Sequence, residues 1–540
     1  MDKSIYDCLI IGGGHNGLVC AAYLARAGRK VLVLERQSVV GGAAITGEIA
    51  PGYRASTASY LVSLLLPEIE RELELARHGY RVLARNPSSF TPCLDGRYLL
   101  MGADAEFNRR EITKFSARDA EAYPRYEAFL TRIAERLEPV LTQTPPEMLP
   151  LPASWRRFSW LERLRHLRRG RSLYQAMRKL GEDLPAALEV LTGAARPILD
   201  RWFESDVLKA TLATDAIIGT FQPVSAPGTG YVLLHHVMGT AGGARGVWGY
   251  VEGGMGALTG ALAQSARAAG AQIRMQAEVV EILLNDGKAM GVRLASGEVI
   301  HARQLASNAD AHVTFENLLN PRSLPPSFRE AVARIDYSSA SMKINLAVSE
   351  LPDFSCRPGK SEVAAPHRGT IHLGATLEYL ERAYDDAKYG CPSAHPIIEM
   401  TIPTSVDRTL APPGHHIVGL FVQYAPYQLA SGSWDEVKES FADRCIAEID
   451  RYAPNFSASV LHREVLSPLD LERRFNLTGG NIFQGAMPLH QLLSLRPVPG
   501  WSDYRTPIPH LYLCGAAAHP GGGVMGAAGR NAAVEMIRDR

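Results

Sequence analysis

A short apolar strand that stops on Gly12-x-Gly14-x-x-Gly17 and opens a helix constrains this chain more than any other feature. Tyr6 to Ile11 form the apolar run, small and apolar residues follow from Leu18 to Ala27, and Gly28 closes the helix. Lys30 to Glu35 (KVLVLE) then reads as a second strand. A right-handed crossover puts both strands in one parallel sheet. The first glycine permits the tight turn, the second lets backbone approach a pyrophosphate, and the third lets the helix pack on the strand. The helix N-terminus offers free N–H groups and a positive dipole to phosphates. Glu35 ends the second strand, 23 residues after Gly12, where a carboxylate accepts hydrogen bonds from ribose hydroxyls and repels a 2′-phosphate. Gly12, Gly14, His15, Asn16, Gly17, Glu35 and Arg36 are therefore candidate contacts for a dinucleotide.

The same grammar recurs at the other end of the chain. Leu511 to Gly515 form a strand and turn, His519 to Gly526 carry a second glycine-rich segment, and a helix follows through Ala533. A second anion-ready helix N-terminus beside a glycine turn suits a flavin, because it stabilises the negative charge that builds at N1 and O2 on reduction. Gly41-Gly42, followed by Ala43 and Ala44, suits close passage of backbone past an extended cofactor. The expected cofactor is FAD, with Gly515, Gly522, Gly523, Val524, Met525 and Gly526 at its flavin end. No second strand–GxGxxG–helix unit exists, so no dedicated nicotinamide domain is visible. Electrons are then expected to leave to oxygen, a quinone or a transient partner.

One site built from both ends of the chain implies an inserted second domain. The fold class read from this is α/β: a Rossmann-like FAD-binding domain from residues 1–75, 245–310 and 480–540, with an α+β substrate domain on an antiparallel sheet from 76–244 and 311–479. Gln272–Met275, Val279–Leu284, Gly291–Leu294 and Val299–Ala302 read as a meander, because Asn285-Asp286-Gly287 and Ser296-Gly297 are turn signals. Met342, Ile344, Leu346 and Val348 alternate with Lys343, Asn345 and Ala347, the pattern of a half-buried strand in which Lys343 is solvated or ion-paired.

Composition excludes several classes. Lys+Arg number 57 and Asp+Glu 56, so no global attraction to nucleic acid is expected. The 7 cysteines are scattered with no CxxC pair, which removes zinc-knuckle and redox-disulfide readings and suits a reducing compartment. The adjacent pairs His235-His236 and His415-His416 point apart on a strand, and no metal is expected. No basic leader, no long apolar leader segment and no stretch of about 18 apolar residues occurs, so a cytoplasmic protein is expected. The run from Trp155 to Lys179 interleaves Trp, Phe and Leu with many arginines, the composition of a helix that lies on an anionic membrane.

The segments IIGGGHNGLVCAAYLARAG, LERQSVVGGAA, GGMGALTGALA, LASNADA and LYLCGAAAHPGGGVMGAAGRNAA resemble the phytoene desaturase-like flavoproteins, within the amine oxidase and GDP-dissociation-inhibitor superfamily. The resemblance covers nearly the whole chain. It implies that Val279 contacts the adenine part through its backbone, that Asn308 of LASNADA lies at the cofactor, and that Gly521 to Gly526 wrap the flavin end. Carotenoid desaturases often carry an acidic residue in an FDxGP-like stretch, whereas the matching Arg54 to Tyr60 has none. His519, beside the flavin motif, and Tyr60, on the segment expected to pass the flavin face, are the catalytic candidates. The expected activity is FAD-dependent chemistry on carbon–carbon bonds of an apolar, isoprenoid or polyene-like substrate: desaturation, saturation, isomerisation or ketolation. The alternatives are a flavin amine oxidase and a non-enzymatic binding protein on the same fold.

Overall fold

The computed structural model of the chain describes residues 5–147, 157–241 and 244–539. Tyr6–Ile11 and Val31–Leu34 pair in parallel, joined by the helix His15–Arg26. Gln272–Arg274 extends this sheet beyond Val31–Leu34. On the other side Val299–Ser307 lies beside Tyr6–Ile11, with Leu511–Leu513 beyond it, all parallel. Strands from three distant parts of the chain thus share one sheet, and their C-terminal ends bring the glycine turns together. Such a sheet is buried on both faces, which is why its strands are apolar runs rather than alternating ones.

The helix His15–Arg26 packs against Met255–Ala268 and Ala527–Arg538. The approach is close. A Cβ on Gly17 would fall 2.3 Å from the Gly12 carbonyl oxygen, and one on Gly529 would fall 2.1 Å from that of Asn16.

The meander holds three strands rather than four: Val279–Asn285, Lys288–Leu294 and Val299–Ser307. Asp286 and Gly287 both have positive φ, 48° and 74°, as a tight hairpin turn requires. Gln272–Arg274 instead belongs to the parallel sheet. It follows a helix closed by Gly270, so it returns parallel to the earlier strands, as a crossover does.

The second sheet runs in the order Val460–Leu466, Ser341–Val348, His416–Gln423, Ile397–Thr401, Thr370–Leu373, Ser89–Pro92 and Tyr98–Met101. Its pairs are antiparallel except Thr370–Leu373 with Ser89–Pro92. One face packs Met342, Ile344, Leu346, Ile398, Leu420 and Val422 into a core with the helix Trp434–Asp450. The alternation in Ser341–Val348 is therefore real, but its other face is buried too. The helix Asp206–Ile217 covers that face. Thr211 hydrogen-bonds Thr91 at 2.7 Å, Thr214 bonds His372 at 3.1 Å, and Gln423 donates to the Ile217 carbonyl at 2.9 Å. Lys343 is 3% exposed, which corrects its reading as a solvated or ion-paired strand lysine.

The arginine-rich stretch forms the helix Trp160–Arg178, opened by a capping box of Ser159 and Glu162. Trp155 lies outside the described residues. Trp160, Leu167 and Tyr174, seven residues apart and so on one helix face, are 71%, 61% and 67% exposed. Arg157 and Arg169 tie this region to the C-terminal segment through Asp503 at 2.7 Å and Glu535 at 2.5 Å. Among the described residues no helix is long and apolar enough to cross a membrane.

Candidate active site

One continuous cavity runs from the first glycine turn to the antiparallel sheet. Gly12, Gly14, His15, Asn16, Glu35, Arg36, Gly41, Gly42, Ala43, Ala44, Val279, Asn308, Gly522, Gly523 and Val524 line it. Gly17, Gly515, Met525 and Gly526 do not. They act one layer behind the wall. Gly515 lets backbone cross Asn308, since a Cβ there would fall 2.6 Å from the Asn308 carbonyl oxygen. Gly526 is the N-cap of Ala527–Arg538, with φ of 73° and no side-chain cap.

The two ends of the chain form one cradle. Gly14 bridges Gly41, and the Gly41 N–H donates to the Gly13 carbonyl at 2.9 Å. Glu35 accepts the Gly13 N–H at 2.7 Å and the Gln37 N–H at 2.8 Å, so its carboxylate also fixes the turn. Arg36 lines the cavity while donating to the Arg474 carbonyl at 2.7 Å, which ties the segment after Val31–Leu34 to the helix Pro468–Phe475.

These residues fit FAD. No side chain caps the N-terminus of His15–Arg26, leaving its first N–H groups for an anion. His15 Nε2 is buried without a partner among the described residues, and burial pulls its pKa to about 4, so it is neutral at pH 7. At the other end, Gly523 has φ of 110° and space only for hydrogen, because a Cβ would sit 2.6 Å from Leu64. When bound, FAD supplies a two-electron acceptor at its ring.

Beyond Gly522–Val524 the same cavity opens into a chamber whose floor is the polar face of the antiparallel sheet. Strand register sets the order across that floor. Lys343 lies opposite Phe421, Phe421 opposite Glu399, and Glu399 opposite His372. Tyr60 stands over this row, donating to Glu399 at 3.1 Å with the Lys343 ammonium 5.0 Å from its ring centre. Tyr60 and Phe421 form a ring pair at 6.0 Å and 30°. Asp215, from the covering helix, lines the chamber as well.

Burial governs the charges there. It lifts Asp215 and Glu399 to about 7 and pulls Lys343 down to about 7. Lys343 Nζ has no hydrogen-bond partner among the described residues, and Gly419 makes room for it, since a Cβ there would lie 2.7 Å away. A buried lysine destabilises the folded state fully below its folded pKa, and the penalty fades as pH rises towards the unfolded value near 10.5. Lys343→Met is therefore expected to raise thermal stability at pH 6 and to match the parent near pH 10. Melting curves across that range check this, and an equal gain at both pH values would count against a buried lysine.

Of the two expected catalytic residues, the geometry gives Tyr60 access to the chamber and withholds it from His519. His519 is fully buried, is not part of the cavity wall, and accepts at its carbonyl the Tyr504 hydroxyl at 2.7 Å. Burial pulls its imidazole to about 3, which keeps it neutral. Sequence reasoning missed Asp215, His372 and Glu399 and set Lys343 aside. A signal existed: each of TIHL, IIEMT and SMKINLAV carries a single titratable residue in an otherwise largely apolar strand.

This fold and cavity define a flavoprotein class, and the chain belongs to the flavin containing amine oxidoreductases, whose family model matches residues 72–388. An NAD(P)-binding Rossmann-like domain model matches residues 10–68. The chain is an FAD-dependent oxidoreductase of this family. It is 50% identical to the pyridine nucleotide-disulfide oxidoreductase domain-containing protein 2 of Rattus norvegicus, over 99% of this chain and 94% of that protein. All 7 cysteines here are free, so that name does not describe a disulfide centre in this chain. A limonene dehydrogenase polypeptide of Castellaniella defragrans is 26% identical over 99% of this chain and 94% of its own length. Prolycopene isomerase of Daucus carota is 25% identical over 97% of this chain and 78% of its own, a distant likeness that supports the carotenoid desaturase-like resemblance. A solved putrescine oxidase bound to putrescine shares the fold, with a TM-score of 0.58 at 14% identity and coverage of 99% and 98%.

Proposed function

We propose that this oxidoreductase acts on carbon–carbon bonds of an apolar, isoprenoid or polyene-like substrate. The observation that carries this reading is the chamber beyond the flavin turn. Its body is walled by Leu61, Ile218, Trp248, Phe421, Ile482 and Phe483, and its titratable groups gather at the sheet floor and the helices that cover it. Such walls hold an apolar chain and exclude water, while the floor handles protons. The similarity of nearly the whole of this chain to the limonene dehydrogenase polypeptide and to prolycopene isomerase supports the same class. The test is anaerobic addition of candidate polyenes and terpenes to the flavin-loaded protein. Bleaching of the flavin bands by a polyene supports dehydrogenation. Bands that stay unbleached by every hydrocarbon overturn dehydrogenation and leave isomerisation by the reduced enzyme to be assayed.

The Tyr60–Phe421 ring pair favours a second reading, amine oxidation, because an aromatic pair frames an amine carbon well. Peroxide released with amines alone selects it.

An apolar substrate has to be collected from somewhere, and the exposed face of Trp160–Arg178 supports a membrane as its source. Trp160, Leu167 and Tyr174 offer apolar contact beside Arg168, Arg171 and Arg178, with Glu162 the one acid of the helix. Sedimentation with vesicles is expected to be stronger for phosphatidylglycerol-containing than for pure phosphatidylcholine vesicles, and to be lost in a W160S/L167S/Y174S variant. Equal sedimentation of parent and variant would remove this role.

A further inference from the structure

We propose that Asp215 and Glu399 form a carboxyl pair that holds a single proton at the floor of the chamber and exchanges it with substrate carbon. The second half of this rests on the carbon–carbon reading above, and the first half does not.

The geometry supplies a permanent charge that the two carboxyls must answer. Arg85 is 5% exposed, donates to the Trp248 carbonyl at 2.7 Å and to the Thr370 hydroxyl at 2.8 Å, and has no ion-pair partner within 4 Å among the described residues. A guanidinium does not deprotonate, so this buried charge, bonded to Trp248 and Thr370 of the chamber wall, favours one negative charge nearby. The charge of that guanidinium favours the ionised form of Asp215. Glu399 is 5% exposed and differs in its partners. Its Oε2 accepts from Tyr60, but its Oε1 is buried with no hydrogen-bond partner among the described residues, and His372 Nδ1 stands at 3.6 Å, too far to bond. The neighbouring Thr214 hydroxyl donates to the Thr211 carbonyl at 3.0 Å. An ionised carboxylate with a bare buried oxygen is costly, whereas a neutral acid keeps its proton there.

The other groups facing the pair do not supply a second cation. His372 and His236 are held neutral by burial, and Tyr60 is a phenol whose pKa burial raises further. Lys343 lies across Phe421, and the carboxylate that acts on it is Glu464. One fixed positive charge against two carboxyls gives one carboxylate, on Asp215, and one acid, on Glu399. The charge on Asp215 also raises the cost of ionising Glu399, as a like charge does.

In dehydrogenation, bound FAD would be the two-electron acceptor for one substrate hydrogen leaving with the electron pair of its C–H bond. The adjacent carbon gives its proton to the ionised carboxyl of the pair, and the electron pair left behind closes the C=C bond. The pair then holds two protons and returns one to solvent. Saturation runs the same proton the other way.

Infrared titration of the substrate-free holoprotein tests the pair without any substrate. The parent is expected to show the carbonyl stretch of one buried carboxylic acid at pH 7. In Glu399→Gln that band disappears. In Asp215→Asn it also disappears, because Glu399 then ionises to answer Arg85. Two independent carboxyls would lose the band in one variant only, and that result, or a band unchanged in both, overturns the proposal. Flavin content and far-ultraviolet circular dichroism confirm that each isosteric variant is folded, and agreement of two separate variants protects against a local misfold. With a polyene that bleaches the parent, Asp215→Asn, which removes the accepting carboxylate, is expected to slow bleaching by about 100- to 10,000-fold. Unchanged bleaching would leave the proton store but remove its catalytic use. If no polyene bleaches the parent, the carbon–carbon reading fails while the infrared result still decides the pair.

Discussion

Gly17→Val yields a protein that purifies with little or no flavin. The new Cβ would fall 2.3 Å from the Gly12 carbonyl oxygen, and that oxygen is backbone, so no rotamer relieves the contact. The helix must lift off the strand, which moves its N–H groups away from the pyrophosphate and opens the seam with Ala527–Arg538. Overpacking of this kind costs about 1–3 kcal/mol, so FAD affinity is expected to fall about 10- to 100-fold. The ratio of flavin to protein absorbance after gel filtration reads this directly. Gly28→Ala is the control. Gly28 has φ of 79° but open space around it, so the substitution strains the backbone and leaves flavin content alone. A fully flavinated Gly17→Val protein would mean that this turn does not hold the cofactor.

The second large effect is expected at Arg496, which no motif marks. Its guanidinium is 2% exposed and donates to the carbonyls of Phe483, Gly485, Ala486, Gln491 and Ala516 at 2.8–3.3 Å. Burial lowers its pKa to about 10, so it is still charged at neutral pH. The carbonyls belong to two segments that flank the flavin-end turn, and Arg496 is the clasp between them. Arg496→Met takes that donor from each carbonyl in a dry interior, and the Ala486 carbonyl keeps only the Gln491 side-chain amide. The expected loss is about 3–5 kcal/mol, the scale of removing one member of a buried charged network. Denaturant unfolding monitored by flavin fluorescence should show a lower midpoint and early flavin release. Arg496→Lys is expected to rescue little, because an ammonium has three donors and no planar fork. Full rescue by lysine would show that charge alone matters there.

How much of this was legible in the residues follows from how local each feature is. The dinucleotide half needed only a strand, three glycines, a helix and a carboxylate within one short segment, and the structure places Gly12, Gly14, Glu35, Gly41 and Gly42 around one cleft. The second glycine motif was equally local. The mistaken meander strand, Gln272–Arg274, failed on a non-local fact: its partner is Val31–Leu34, far away in sequence.

The sequence by itself determined the cofactor half, because its backbone conformations are dictated by glycine and by strand–helix succession over a few residues. Tertiary structure alone decided the chemistry of the chamber. Lys343, His372, Glu399 and Phe421 come from four strands, and only cross-strand register makes them a row. Whether that row meets solvent or a closed space depended on the helix Asp206–Ile217, which covers the sheet and carries Asp215. That cover turns an ordinary polar sheet face into a dry floor, where desolvation moves two carboxyls and a lysine to the edge of ionisation.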